Sequence, residues 1–299
     1  MAAAPEAVQA FEEQRPRLFA IAYRLLGSAS EAEDAVQDTF LRWHAADPQT
    51  VRSPAGWLAK VLTNLCLTRL TSARARRETY PGPWLPEPVL TAQSALGPLD
   101  RAELRESVSL AFLLLLERLT PPQRAVFVLR EAFDYSYREI AQILDLAEAN
   151  CQQLYRRARL QVAKDRPRFP RRSQASRERG HRIAEEFLAA ARSGDLAALE
   201  TLLAADVVAW ADGGGKAVAA RRPVHGGPRV ARYLAGWMSR EVPGVRFVVT
   251  EVNGQPGILG AVGEQLLFAA LLSLAGGQVT AVHTVVNPDK LAFLTRQLM

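Results

Sequence analysis

The chain has 299 residues and a mass of 32.8 kDa, is 48% hydrophobic and 23% charged, and so is neither disordered nor fibrous; its length favours two or three compact units. Lys+Arg 37 against Asp+Glu 31 gives a net charge of +6 and a pI near 9.7, which points to a polyanionic partner. Two cysteines, Cys66 and Cys151, exclude a disulfide scaffold and, without a histidine cluster, an evident zinc site.

No metal or cofactor is expected. The stretch Met1–Gln14 carries acids and lacks the apolar run of a secretory signal. The longest apolar runs, Leu110–Leu116 and Leu266–Leu274, are far short of a bilayer span. A reduced, cytoplasmic, soluble chain with no membrane partner is expected, monomeric when free.

The charge is unevenly placed. Residues 1–50 carry four basic and eight acidic side chains, residues 52–77 six basic and none acidic, residues 151–182 eleven basic and two acidic, and residues 183–299 ten of each. Pro/Gly-rich or polar breaks at Thr79–Pro98 and Arg166–Gly180 read as linkers. The expected divisions are therefore 1–78, a linker at 79–99, 100–165, a basic linker at 166–180, and 181–299.

In chain order, Ser30 and Glu33 read as a capping box opening a helix through Trp43. Ala32, Val36, Phe40 and Trp43 form its buried stripe, and Asp34, Asp38 and Leu41 lie on another face. An acidic face is also what an ordinary solvated helix presents. A second helix starts at Ser53-Pro54, with Trp57, Leu58, Val61, Leu62 and Leu65 apolar. Lys60, Asn64, Thr68, Thr71 and Arg74 form a basic polar face suited to a phosphate backbone.

Farther on, Thr120 with Gln123 and Ser136 with Glu139 are two more helix starts. Tyr137–Leu144, the turn Asp145-Leu146 and a helix from about Ala147 make a helix-turn-helix. The second helix buries Cys151, Leu154, Ala158 and Val162. It turns outward Asn150, Gln152, Gln153, Arg156, Arg157 and Arg159, side chains that pair with base edges and phosphates. A plain helical hairpin with a polar face is the alternative.

These residues resemble a known family. Tyr23–Gly27 (YRLLG), Glu31–Trp43 (EAEDAVQDTFLRW) and Pro54–Leu58 with Asn64 are similar to region two of the extracytoplasmic-function sigma factors, and Thr120–Ala163 to region four. The resemblance implies that Asp34, Gln37, Asp38, Phe40 and Leu41 dock on core RNA polymerase. It implies that the loop Asp47–Ser53 and the next helix, through Arg52, Lys60, Asn64, Arg69, Arg74, Arg76 and Arg77, read and melt the minus-ten element, holding the melted non-template strand with its extruded base. The helix from Ala147 would read double-stranded DNA at the minus-thirty-five element. Thr68-Arg69 stands where many relatives carry an acid, so promoter preference is not carried over.

Three more strings, Trp84-Leu85-Pro86-Glu87-Pro88, Asp212-Gly213-Gly214-Gly215-Lys216 and Asn287-Pro288-Asp289-Lys290-Leu291, resemble the hallmarks of the members with a fused SnoaL-like domain. The fold class expected is two all-α domains followed by an α+β cone, with the second and third strings facing the sigma domains and the linker, as inter-domain regulatory contacts. Lys216 and Lys290 are candidates to pair with acids such as Glu87. Within 181–299, helices are expected at His181–Arg192, Asp195–Leu203 and Arg229–Met238, and strands at Val207–Ala211, Val245–Val252, Ile258–Val262, Gln265–Leu274 and Gln278–Val286.

The function expected is promoter recognition for RNA polymerase, modulated in cis by the last domain, without catalysis. Two rivals stand beside it. One is a last domain that binds or turns over a small molecule, with Asp206, Asp212, His225 and His283 as acid/base candidates. The other is a one-component repressor using the helix-turn-helix alone. Asp212–Lys216 lacks the spacing of a P-loop and reads locally as a glycine-rich hairpin turn.

Overall fold

The computed structural model describes residues 5–47, 51–91, 108–165, 174–240 and 242–299, with side chains left out at 5, 6, 73–78, 164 and 165. Two compact units result. The first comprises Met1–Glu78, Ser94–Val108 and Phe112–Pro167, the second Thr79–Gln93, Ser109–Ala111 and Arg168–Met299.

The first unit is built on α1 (Pro5–Leu26), α2 (Ala29–Ala45), α3 (Pro54–Glu78), α4 (Leu110–Leu116, whose first two residues fall in the second unit), α5 (Pro121–Phe133), α6 (Tyr137–Leu144) and α7 (Glu148–Asp165). Helices α1–α3 bury Ile21, Leu25, Leu26, Ala32, Val36, Leu58 and Leu62 against one another, and Trp43 meets Trp57 at 5.4 Å. Each such aliphatic side chain contributes about 1.5–3 kcal/mol of transfer free energy. Helices α5–α7 bury Val126, Leu129, Ile140, Ile143, Cys151, Ala158 and Val162. Helix α3 also packs on α5 and α6, and α1 on α5, so the two expected all-α segments share one unit.

The capping box expected at Ser30 is displaced by two residues. Gly27, at φ +68°, ends α1, Ser28 is extended, and its hydroxyl accepts from the Glu31 N–H at 3.0 Å; Ser30 then falls inside α2. The box at Ser136 forms as read, with the Glu139 carboxylate accepting from the Ser136 N–H at 2.7 Å.

The second unit runs α8 (Gln174–Ser193), α9 (Leu196–Leu202), β1 (Leu203–Asp212), β2 (Val224–His225), α10 (Gly227–Met238), β3 (Arg246–Val252), β4 (Gln255–Val262), β5 (Gln265–Ala275), β6 (Gln278–Val285) and α11 (Pro288–Leu298). Its sheet order is β2-β1-β6-β5-β4-β3. One face carries Ala209, Phe268, Ala270, Leu272 and Val282 into a core with Phe187, Leu199, Val230 and Leu234. Helix α11 packs on β5.

Four features of this unit have local causes. Strand β6 is parallel to β1, because α10 and the β3–β6 meander form a crossover that returns the chain in the direction of β1. Residues 174–180, expected in a linker, start α8, where Gly180 lets Pro256 and Leu274 approach within the distance a Cβ would occupy. Asn287-Pro288 caps a helix: the Asn287 side-chain Oδ1 accepts from the Asp289 N–H at 3.1 Å, and Pro288 takes the first helical position. Residues 79–91, also expected as linker, belong to the second unit, with Leu90 bridged antiparallel to Val252. The rest of the two expected linkers, 92–99 and 166–173, lies outside the described residues.

Candidate functional site

On α2, Asp34, Gln37 and Leu41 are exposed, while Asp38 and Phe40 are half-buried, Phe40 lying 4.9 Å from Phe11. An apolar residue such as Leu41, at 59% exposure beside acids, suits a protein partner better than water alone. Arg52, just before α3, is exposed, and Lys60 and Asn64 on α3 are half-buried; the side chains of Arg74, Arg76 and Arg77, and loop residues 48–50, lie outside the described residues.

Arg69 differs from its neighbours. Its guanidinium donates to Asp38 Oδ2 at 2.7 Å and to the Glu31 carbonyl at 2.8 Å, tying α3 to the acidic helix. The Lys60 ammonium is likewise engaged, at 2.5 Å from Asp145 Oδ1 in the helix-turn-helix turn. On α7 all six predicted residues, Asn150, Gln152, Gln153, Arg156, Arg157 and Arg159, are exposed, because Cys151, Ala158 and Val162 hold the opposite stripe in the core. Burial also raises the Cys66 thiol to about 12, so neither its place nor its acidity suits a nucleophile.

In the second unit the three hallmark strings converge on one buried carboxylate. Asp212, fully buried at the end of β1, accepts through Oδ2 from the Lys290 ammonium at 2.7 Å and from the Leu85 N–H at 2.8 Å, and through Oδ1 from the Tyr80 hydroxyl at 2.6 Å. Lys290 also donates to the Leu85 carbonyl at 2.5 Å and sits 4.3 Å from the Trp84 ring and 4.8 Å from the Tyr80 ring. The Asp212 carbonyl accepts from the Val286 and Asn287 N–H groups at 2.9 and 3.0 Å. Burial, then the bond to Asp212, raises the Tyr80 hydroxyl above its usual range, so it stays a donor. A lysine facing a carboxylate, with aromatic rings and backbone carbonyl around it, is a compensated buried charge.

The glycines serve close approach. A Cβ at Gly213 would lie 2.3 Å from the Ala217 carbonyl, and one at Gly214, whose φ is +56°, 2.1 Å from Asn287 Nδ2. Gly215 has φ +73° against Pro81. The turn opens a connection of eleven residues to β2 and is not the tip of a tight hairpin. Lys216 pairs with Asp289, while Glu87 and Pro86, Pro88 and Leu291 are buried around the same strings. Tyr80 was missed by sequence reading, since nothing local marks a tyrosine before Pro81-Gly82-Pro83 as a hydrogen-bond donor to residue 212.

The acid/base candidates do not converge. Asp206 and His225 are exposed, Asp212 is bound as described, and His283 pairs in register with Trp210 on the sheet face opposite Ala209 and Val282. His283 stacks on Trp210 at 4.8 Å, and burial lowers its pKa to about 4. The space under α8–α10 is filled by apolar side chains, Trp237 meeting Phe268 edge-on at 4.7 Å. A separate groove of about 260 Å³, between α8 and the β3–β5 side of the sheet, is lined by Arg177, His181, Glu251 and Pro256 among others and contains none of the four. Among the described residues no group of three or more His, Cys, Asp or Glu side chains could hold a metal, and no helix is long and apolar enough to cross a membrane.

An acidic helix beside a basic one, a helix-turn-helix with an arginine-rich second helix, and an α+β domain gripping their connector define a promoter-recognition protein with an appended domain. Sigma-70 region 2 matches residues 10–76 and Sigma-70, region 4 matches residues 109–162. The ECF RNA polymerase sigma factor SigJ of Mycobacterium tuberculosis is 36% identical over 294 residues, spanning 95% of this chain and 92% of that protein. The probable ECF RNA polymerase sigma factor SigI of the same organism is 33% identical over 299 residues, spanning 97% and 96%. The crystal structure of M. tuberculosis SigJ superposes with a TM-score of 0.73 at 34% identity, covering 96% of this chain and 98% of that one. The chain belongs to the extracytoplasmic-function sigma factors: it binds core RNA polymerase and directs promoter recognition and transcription initiation.

Proposed function

We propose that the last domain modulates this activity in cis by gripping both ends of the connector between the two sets of DNA-reading helices. The observation that carries this is the bonding of the connector. At one end Leu85 and Tyr80 are held by Asp212 and Lys290, and Val89 donates to Asn253 Oδ1 at 2.9 Å. At the other, the Leu110 N–H donates to Gln255 Oε1 at 3.3 Å. Residues 92–107 alone reach at most about 55 Å when extended, whereas 79–107 reach about 100 Å. Holding the connector therefore restricts how far region four can travel from region two.

Asp34, Gln37, Asp38, Phe40 and Leu41 form the polymerase-docking face, Arg52, Lys60 and Asn64 with Arg74, Arg76 and Arg77 the minus-ten face, Arg69 bracing the first face through Asp38, and Asn150, Gln152, Gln153, Arg156, Arg157 and Arg159 the minus-thirty-five face. Exposure of the α2 and α7 side chains and the charge of each helix support these roles. The protein acts in the cytoplasm, is not an enzyme, and is a monomer when free. Transcription from a cognate promoter, compared between the native chain and Lys290→Met with Asp212→Asn, tests the cis control. A changed output with unchanged polymerase copurification is expected; identical output overturns it.

A further inference from the structure

We infer that the last domain itself binds the phosphate backbone of promoter DNA, through an arginine surface made by the connection after the glycine turn and by helix α10. The inference goes beyond control through the connector and does not depend on it. Residues 183–299 carry ten basic and ten acidic side chains, yet residues 213–240 hold six of the basic ones and none of the acidic ones. The six are Lys216, Arg221, Arg222, Arg229, Arg232 and Arg240. A domain neutral in total is therefore strongly basic over one continuous stretch.

Packing turns that stretch outward. Val230, Ala231 and Leu234 put one side of α10 in the core, so Arg229 and Arg232 face solvent. Gly236 and, just past the helix end, Arg240 continue the same exposed stripe. Arg221 and Arg222, also exposed, precede the edge strand β2, which pairs with β1 at Ala209 and Val224. One bond joins the two halves of the surface. The Tyr233 hydroxyl of α10 is hydrogen-bonded to the Ala220 backbone, so Arg221 follows one bonded residue and Arg232 precedes the other.

Lys216 is paired with Asp289, but among the described residues none of the five arginines is paired with an acid, the exposed Asp206 of β1 included. Crowded guanidiniums without internal carboxylates repel one another, and an outside anion relieves that repulsion. The planar guanidinium also matches phosphate two bonds at a time. From Arg229 to Arg240 the stripe runs about 16 Å, a length over which duplex DNA presents about ten phosphates. Gly236 leaves open space where a Cβ would stand, so the stripe is flat at its middle. The first turn of α10 has no acid and no side-chain cap, which adds its partial positive charge. Since the chain directs promoter recognition, duplex phosphate is the polyanion at high local concentration around a domain tethered to it. Contacts of this kind position the duplex and read no sequence.

The test uses the full chain assembled with core polymerase. Arg221→Gln/Arg222→Gln/Arg229→Gln/Arg232→Gln should lower affinity for promoter DNA about tenfold or more at roughly 0.1 M salt. The slope of log affinity against log salt should fall by about two or more, with the same loss on a duplex of scrambled sequence. Thermal melting should match that of the native chain, since the four side chains hold no acid partner. Arg221→Lys/Arg222→Lys/Arg229→Lys/Arg232→Lys keeps the charges and should keep the slope. A benzophenone attached through Gly236→Cys, with native Cys66 and Cys151 buried, should crosslink to DNA in the promoter complex. An unchanged slope in the glutamine variant, an equal loss in the lysine variant, or crosslinking to a polymerase subunit alone overturns the inference. All these variants leave Lys290 and Asp212 intact, so such a failure is distinct from a failure of control through the connector.

Discussion

Lys290 and Asp212 face each other at 2.7 Å at a point where the carboxylate is fully buried and the lysine nearly so. They come from the start of the last helix and the end of the first strand, and between them they hold the backbone of Leu85 by its N–H and its carbonyl. One ion pair thus joins three distant stretches of chain.

Removing one partner leaves the other charge buried. Lys290→Met or Asp212→Asn should destabilise the second unit by about 3–5 kcal/mol, whereas Tyr80→Phe, which loses the bond to Asp212 Oδ1 and the one accepted from Asn287 Nδ2, should cost about 2 kcal/mol. Denaturant unfolding measures both, and limited proteolysis near residues 79–91 should accelerate in the first two. Equal effects of Tyr80→Phe and Lys290→Met would contradict the central place of the ion pair.

Gly214→Ala places a Cβ 2.1 Å from Asn287 Nδ2 on a backbone at φ +56°. Strain of about 1–3 kcal/mol is expected, visible as a lower Tm. Gly263→Ala, with similar φ at +57° but open space around it, isolates the conformational part and should cost less.

Burial holds His283 neutral, with a pKa of about 4 in place of 6.5. The unfolded chain takes up a proton below about pH 6.5 and the folded chain does not until about pH 4. Stability is therefore full above pH 6.5 and is lost as pH falls from 6.5 towards 4, by on the order of 3 kcal/mol. His283→Phe, which keeps the stack on Trp210, should flatten that slope in unfolding titrations.

Arg69 and Arg157 carry the same charge in different settings. Arg157→Ala should lower the slope of log affinity against log salt by about one, as loss of a phosphate contact does. Because Arg69 is committed to Asp38 and the Glu31 carbonyl, Arg69→Ala should leave that slope unchanged and weaken polymerase binding, and Asp38→Asn should do the same. A reduced slope for Arg69→Ala would return it to the DNA face.

Much of the helical half was legible in the residues. Ser136 with Glu139 announced α6, and the spacing of Cys151, Ala158 and Val162 told which side of α7 faces outward. These are local signals, set by hydrogen bonds over three residues and by the helical repeat. Where the local signal had two solutions it misled: Ser28 and Ser30 each precede an acid by three, and only the end of α1 at Gly27 decides between them.

The sequence by itself determined the element types, the family, the segregation of charge behind the +6 total, and the three strings that matter in the last domain. Tertiary structure alone decided what those strings hold. Lys290 read on paper as a partner for acids such as Glu87, and what the fold brings to its Nζ is the carboxylate of Asp212, because β1 beside β6 delivers it next to the start of α11. Likewise Arg69 and Lys60 stood together among the residues expected at the minus-ten element, and the fold gives one to Asp38 and the other to Asp145. Charge and periodicity are properties of short stretches; the partner of a charge depends on which distant stretch the packing brings within about 3 Å, and no local pattern encodes that.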